Sequence, residues 1–466
     1  MTRRLLPLIL LLCATHAFAG TGKILIINND RAGAGFNDPT PVTPVGGNNG
    51  TTLGQQRLNV FLAAAEKWQD QLDTNVDILV QASFAPISEC TTLGFAGPML
   101  WKHDTDGVPL KNTWYPIALA NKFANRDLEP LLDDIQVQFN ADVDKSTCLG
   151  DTSFYYGLDN KEGTNIDLFV VVLHELGHGL GISGAAGAPG FRENLPAITD
   201  VHTYDATLGL RWTQMSMEQR VASVTNTGNL AWDGDNVRNA AGRFLEQPIV
   251  LDVSAPSAAA KKYELGTSSF GAPVGTNAAG RVMLVTDAEG PSMNDACTAI
   301  TNPSAIAGRI ALIDRGNCTF VQKARNAVAA GAIGVVIVDN SRDECIPPGM
   351  AGAAPDVTIP IVSITAADGD ALKAQLSANA EVDASVHRQA GRLAGTTPEG
   401  FVRLYAPCKF QVGSSVHHFD TTASPNLLME PSINSDLLHG FDLAVYQLFD
   451  IGWTAPARSG RRFLKR

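Results

Sequence analysis

The stretch that decides the fold is Ile166-Asp167-Leu168-Phe169-Val170-Val171-Val172-Leu173-His174-Glu175-Leu176-Gly177-His178. Its first eight residues contain neither Pro nor Gly and are apolar except for Asp167, which predicts a helix. Thr164 or Asn165 is placed to cap that helix, with Asp167 in its first turn. The helix is expected to end at Gly181, where the chain can turn sharply.

Two histidines of this stretch are spaced to share one metal ion. Because an α-helix repeats every 3.6 residues, side chains four positions apart lie on one face, so His174 and His178 can reach the same ion. Glu175 lies beside them, where it can accept a proton from zinc-bound water. The pattern is typical of half of a catalytic zinc site, so Zn²⁺ is the predicted cofactor.

Composition limits the class of protein and its partners. The chain has 466 residues, which predicts two or three domains, and its 45% hydrophobic and 18% charged residues are typical of a folded protein. The formal net charge of −12 argues against nucleic acid as a partner, because phosphate binding needs clustered Lys and Arg. The small basic cluster at residues 458–466 is interpreted as a solvated tail.

The first 19 residues have the pattern of a cleavable export signal. Arg3 and Arg4 precede the apolar run at residues 5–12, and Ala17-Phe18-Ala19 is a small-x-small cleavage site. This run is too short to span a bilayer, and no other segment approaches the required length. The sequence therefore predicts a secreted or periplasmic protein without a membrane span, and its oligomeric state is left open.

Six cysteines remain once the signal, which contains Cys13, is removed. An even number of Cys in an exported chain favours disulfides, although six Cys allow 15 pairings. Pairing within proposed domains predicts Cys90–Cys148 and Cys297–Cys318, which leaves Cys345–Cys408 by elimination.

Hydrophobic periodicity divides the chain into two kinds of structure. The first part predicts strands at residues 22–28 and 75–84 and a helix at 53–72, which gives an α/β or α+β fold. The middle predicts strands at 309–314, 331–339 and 359–365 and helices at 320–330 and 366–376. Such alternation of apolar strands with helices predicts parallel pairing with both faces covered. The middle part contains no His between Gly275 and Val386, so we interpret it as non-catalytic.

A catalytic zinc ion needs a third protein ligand, and the family resemblance identifies one. In metzincin proteases a third His lies three positions after the glycine that corresponds to Gly181. In this chain Gly184 occupies that position. About 240 residues later, the segments Gly413-Ser414-Ser415-Val416-His417-His418-Phe419-Asp420 and Asn426-Leu427-Leu428-Met429-Glu430-Pro431 resemble the leishmanolysin-like branch of the metzincins. The resemblance implies that His418 is the third ligand and that Met429 lies in a turn beneath the metal.

Other residues compete for the third position. His417 is the direct alternative to His418. The resemblance favours His418 because of its spacing to Met429 and because an aromatic and an acidic residue follow it directly. His202 and Asp205 lie closer in sequence but belong to a short polar loop, where such residues usually form turns. A glutamate ligand would require a candidate such as Glu193 or Glu218.

The middle of the chain resembles the protease-associated (PA) domain. The resemblance is carried by Asp314-Arg315-Gly316-Asn317-Cys318-Thr319-Phe320, Lys323 and Ala330-Gly331-Ala332. The predicted architecture is a signal peptide (1–19) and an α/β or α+β metzincin-like catalytic domain split into residues 20–245 and 391–466. A β-rich α/β PA-like domain (246–390) is inserted between the two parts.

These features predict a secreted zinc endopeptidase that hydrolyses peptide bonds of protein or peptide substrates. In this interpretation Glu175 is the general base, and His174, His178 and His418 bind the metal. The alternative is an inactive metzincin scaffold that binds proteins or glycans through its PA-like domain. Gly184 favours that alternative, whereas the presence of Glu175 argues against it.

Overall fold

The computed structural model describes residues 22–185, 190–272, 278–288, 292–342, 345–350, 352–434 and 436–456. The predicted signal peptide and the basic tail lie outside these residues. We call residues 22–245 together with 391–456 the scaffold, and residues 246–390 the insert. The limits of the insert, residues 246 and 390, stay predictions. All strands of one seven-stranded sheet lie between these two residues.

The scaffold contains the strands β1 to β11 and β19 and the helices α1 to α6 and α10. The strands are β1 Ile24–Asn28, β2 Ile78–Ala85, β3 Gly94–Pro98, β4 Trp101–Lys102, β5 Tyr115–Pro116, β6 Ile135–Asn140, β7 Phe154–Tyr155, β8 Ile166–Asp167, β9 Thr203–Asp205, β10 Leu210–Arg211, β11 Leu230–Trp232 and β19 Val402–Arg403. The helices are α1 Leu53–Gln69, α2 Ile117–Ala124, α3 Ser146–Leu149, α4 Leu168–Leu180, α5 Met217–Ser223, α6 Asp235–Ala240 and α10 Leu443–Ile451.

The main sheet of the scaffold has the strand order β1-β2-β6-β3. The first three strands are parallel, and β3 runs antiparallel to β6 at the edge. Every second residue of β2 is buried, because one face of the sheet packs against α1 and α4. The Trp68 indole of α1 donates a hydrogen bond to the carbonyl of Leu173 (3.0 Å), which fixes the two helices to each other.

The helix that bears the two histidines begins later than predicted. Ile166 and Asp167 pair with β7 as the short strand β8, so the helix starts only at Leu168. Its N-cap is Asp167, whose carboxylate accepts the N–H of Phe169 (2.9 Å). The predicted caps Thr164 and Asn165 were therefore wrong, because a tertiary strand pair claims the residues that follow them.

The insert is built on a sheet with the order β13-β12-β18-β14-β15-β16-β17. Its strands are β12 Ile249–Ala255, β13 Lys261–Glu264, β14 Ala278–Leu284, β15 Ile310–Asp314, β16 Gly334–Val338, β17 Ile361–Ile364 and β18 Asp383–Arg388, and its helices are α7 Pro303–Ile306, α8 Phe320–Ala329 and α9 Ala366–Ser377. The strands β14 to β17 are parallel, and separate hydrophobic clusters cover the two faces, as predicted. The strands β12, β13 and β18 add an antiparallel part that the pattern of apolar residues did not predict.

Three disulfides link the six cysteines in the predicted pairs. Cys90–Cys148 lies within the scaffold and Cys297–Cys318 within the insert. Cys345–Cys408 joins the insert to the scaffold across 63 residues of sequence. An ion pair between Glu264 of β13 and Arg403 of β19 (2.6 Å) spans the same boundary, so covalent and electrostatic contacts both hold the insert in place.

Candidate metal centre

A fully buried helix positions the first two histidines. All 13 residues of α4 are buried, so its side chains have little freedom to reorient. A Cβ atom at Gly179 would lie 2.4 Å from Cγ2 of Ile135 on β6, which means that glycine permits the close packing of helix and sheet. The helix ends as predicted, with Gly181 at the C-cap and a φ of +131°.

The third histidine arrives on a loop that is fixed against the same helix. His418 is followed by Phe419, whose N–H bonds to the carbonyl of Met429 (2.7 Å). Met429 is fully buried, and its Sδ would be 2.9 Å from a Cβ added at Gly177, so it packs directly against the helix between the two histidines. Val416 adopts a φ of +79°, which is unusual for a β-branched residue and costs of order 1–3 kcal/mol. Strain of this kind is typical of positions where the surrounding structure forces the chain to place a functional group.

The three imidazoles meet at their Nε2 atoms. The Nε2 of His178 lies 3.1 Å from that of His174 and 3.1 Å from that of His418, and the third side of the triangle measures 3.2 Å. The Nδ1 atoms bond to backbone carbonyls at 2.7 Å in all three cases: His174 to Leu428, His178 to Ile182 and His418 to Ser414. Since a carbonyl can only accept, each Nδ1 carries the proton and each Nε2 presents a lone pair.

Three converging lone pairs form a group that can hold a metal cation. A tetrahedral ion with Zn–N bonds of about 2.0–2.1 Å needs ligand atoms separated by about 3.3 Å, close to the observed triangle. Burial lowers the pKa of His174 to about 3 and the pKa of His418 well below its usual value, so these imidazoles are neutral at physiological pH. The donor set therefore fits Zn²⁺ in charge state, tautomer and spacing.

Glu175 is placed beside this triangle rather than in it. A cavity of about 990 Å³ opens over the histidines, and Glu175 is the one charged side chain among the described residues that line it. Its carboxylate accepts the N–H of Ala96 on the edge strand β3. Burial raises the pKa of Glu175 to about 8, which suits a group that takes up and releases a proton near neutral pH.

The other sequence candidates lie elsewhere. His417 lines the cavity, but the cluster of possible metal ligands in the described residues comprises His174, His178 and His418. His202 stacks on Trp232 (ring centroids 5.2 Å apart), and Asp205 accepts backbone N–H groups of its own turn, as expected for a turn former. The remaining two candidates, Glu193 and Glu218, are exposed, and Glu218 lies in the first turn of α5.

Two acidic residues behind the histidines, Asp442 and Glu430, could not be recognised from the sequence alone as part of the site. The carboxylate of Asp442 accepts the N–H of Leu428 (2.5 Å), the residue whose carbonyl orients His174. The same carboxylate caps α10 by accepting the N–H of Ala444 (2.9 Å). Glu430 is fully buried and accepts the N–H of Leu427 (2.8 Å). An Asp before the apolar run of a helix is a recognisable cap, but its second role depends on tertiary structure.

Replacing Asp442 with asparagine is expected to weaken zinc binding by roughly 10- to 100-fold, the usual effect of losing a group that orients a metal ligand. The N–H of Leu428 bonds to Oδ2 of Asp442 and the N–H of Ala444 to Oδ1, so asparagine would turn its NH2 group, which only donates, toward one of them. The measurement is a competition titration against a chromophoric chelator. Thr365→Ala, which removes the cap of α9 in the insert, is the control for loss of a helix cap alone. An unchanged zinc affinity in Asp442→Asn would rule out the orienting role.

The insert is similar to known domains. Residues 266–372 match the family model described as PA domain. The insert therefore contains a PA domain. A segment of 112 residues is 40% identical to ER degradation-enhancing alpha-mannosidase-like protein 3 of Xenopus laevis and covers 22% of this chain and 12% of that protein. A segment of 90 residues is 39% identical to Aminopeptidase YwaD of Bacillus subtilis and covers 19% of each chain.

The similarity is partial in every comparison. The chain spans less than a fifth of the length of these two relatives. Among solved structures, a zinc aminopeptidase from Bacillus subtilis matches with 25% identity and a TM-score of 0.21 over 33% of this chain and 36% of that one. In the described part of the chain, no helix is both long and apolar enough to traverse a bilayer.

Proposed function

We propose that this protein is an exported zinc endopeptidase with a metzincin-like scaffold, in which His174, His178 and His418 bind the metal and Glu175 is the general base. The observation that carries the proposal is the triangle of three Nε2 lone pairs, 3.1–3.2 Å apart, with a buried carboxylate beside it in an open cavity. One of the partial relatives, Aminopeptidase YwaD, is a peptidase by name, which supports a peptidase of some kind.

The residues divide the chemistry between them. A bound Zn²⁺ would supply Lewis-acid activation of the attacking water and of the scissile carbonyl. Glu175 removes the proton of that water and later delivers it to the leaving amine. The hydrogen bond from the N–H of Ala96 holds the carboxylate of Glu175 in position beside the histidines.

The cavity favours an extended polypeptide as substrate. Gly94, Phe95 and Ala96 of the edge strand β3 line it, and an edge strand offers unpaired backbone groups to an extended peptide. The walls near the histidines include Leu93, Leu149, Val171 and Ile433, which suit an apolar side chain of the substrate. Cleavage within a chain is the proposed reaction, because an edge strand can pair with a substrate segment that extends past the histidines.

The remaining features agree with an extracellular or periplasmic enzyme. Three disulfides in one chain are typical of oxidising compartments. The domain limits given above, with a PA domain between the two parts of the scaffold, belong to the same proposal.

The test is hydrolysis of casein by the purified full-length protein with and without a chelator. We expect activity that the chelator abolishes and that one equivalent of Zn²⁺ restores. Tight zinc binding without hydrolysis of casein or of a peptide library would instead support the alternative, a metzincin scaffold that only binds.

A further inference from the structure

A second cavity lies where the insert meets the scaffold. It has a volume of about 820 Å³, within the range of functional ligand sites. One wall comes from the insert and includes Glu264, Thr267 and Ser268, and the other comes from the scaffold and includes Gln411 and Thr422. We call it the interdomain cleft.

The interdomain cleft adjoins the cavity over the histidines. Ser414, Pro431 and Ser432 line both spaces. Ser414 also provides the carbonyl that orients His418 (2.7 Å), so the partition between the cavities is part of the metal centre itself. A substrate chain that crosses the histidines and continues past this partition would enter the cleft.

The lining of the cleft is suited to a polypeptide main chain. It contains many hydroxyl and amide side chains, which can donate to carbonyls and accept from N–H groups: Thr267, Ser268, Gln389, Gln411, Thr422 and Asn434. Tyr405 is the one aromatic residue among the described residues that line it, so the cleft lacks stacking surfaces for rings. The strand β13, from which Lys262 and Glu264 line the cleft, is at the edge of its sheet.

The two walls are held at a fixed separation. The Cys345–Cys408 disulfide and the Glu264–Arg403 ion pair both cross the boundary, and the N–H of Glu246 bonds to the carbonyl of Ser424 (2.7 Å) beside the cleft. A preformed cleft binds an extended chain without the cost of ordering its own walls.

We propose that the interdomain cleft binds an unfolded segment of the polypeptide substrate, next to the segment that is cleaved. This inference rests on the proposed peptidase function for its location in the reaction, but binding can be measured without hydrolysis. Binding in the interdomain cleft would bring the PA domain into direct contact with the substrate. The protein should therefore prefer long, unfolded substrates over short peptides.

The first experiment blocks the cleft with Thr267→Trp in the full-length protein. Thr267 is exposed on the insert wall, so an indole there occupies the cleft rather than the core. We expect the ratio of kcat/KM for casein to kcat/KM for a short quenched-fluorescence peptide to fall by roughly tenfold. Ser304→Trp, at an exposed position of α7 that does not line the cleft, should leave this ratio unchanged. An unchanged ratio in Thr267→Trp overturns the proposal.

The second experiment separates the cleft from the peptidase function. Fluorescence anisotropy with labelled, carboxymethylated α-lactalbumin, which is unfolded, measures binding to the Glu175→Gln protein. We expect binding that Thr267→Trp weakens, and no binding of the native, folded α-lactalbumin. If the wild type hydrolyses nothing but this binding pattern holds, the proposed function fails and the cleft stands. Equal binding with and without the tryptophan rejects the cleft whether or not hydrolysis occurs.

Discussion

Replacing Glu175 with glutamine is expected to lower kcat/KM for peptide hydrolysis by roughly 10²–10⁴-fold, the usual contribution of a general acid–base group. Glutamine keeps the length of the side chain and an oxygen that can accept the N–H of Ala96. It cannot take up the proton of the attacking water. Steady-state kinetics on a quenched-fluorescence peptide, together with zinc content by mass spectrometry under native conditions, measures the loss and shows whether the metal remains.

Two results distinguish chemistry from structure in this experiment. The zinc content of Glu175→Gln should match that of the wild type, because the carboxylate is not part of the Nε2 triangle. Glu175→Asp, which keeps the carboxylate but draws it back by one methylene group, should fall between the two proteins. Near-normal turnover in Glu175→Gln would remove Glu175 from the mechanism.

The helix and its two histidines could be predicted because the information is local. The spacing of His174 and His178, the apolar run before them and Gly181 after them all lie within one helix, whose geometry follows from a 3.6-residue repeat. The parallel strands of the insert were equally accessible, since fully apolar strands between helices have few other arrangements. Two of the three disulfides followed from assigning cysteines to domains, and the third, Cys345–Cys408, followed by elimination.

The missed features depend on contacts between distant segments. The helix begins at Leu168 rather than earlier because β8 pairs with β7, and residue pattern does not reveal that pairing. The carbonyls of Leu428, Ile182 and Ser414 fix the tautomers of the ligands, but backbone acceptors leave no trace in sequence. Asp442 was unrecognised for the same reason, because its partner Leu428 is supplied by the fold. The choice between His417 and His418 rested on family spacing, and the structure places the Nε2 of His418 3.1 Å from that of His178 and 3.2 Å from that of His174.

Substituting His418 with alanine is expected to weaken zinc binding by at least about a hundredfold, more than the loss of a residue that only orients a ligand. Removing one imidazole leaves two Nε2 donors for the ion, and no other described carboxylate or imidazole lies within the cluster to replace it. His417→Ala is the matched control, since the two residues are adjacent and both line the cavity. It should leave zinc affinity unchanged, and the opposite pattern in the two variants would reassign the third ligand to His417.

Thermal stability provides a second readout of the same substitution that does not depend on activity. In the metal-free protein three acceptors face one another without a donor, an arrangement that buries unsatisfied polar atoms and that a cation relieves. Zinc should therefore raise the Tm of the wild type strongly, because a ligand at 100 times its Kd stabilises the folded state by about 2.7 kcal/mol. In His418→Ala the same zinc concentration should give little or no shift. Since the substitution also removes one of the facing acceptors, the metal-free variant should lose less stability than the truncation of a buried side chain usually causes. A zinc-dependent shift equal to that of the wild type would mean that the three-histidine site does not hold the metal.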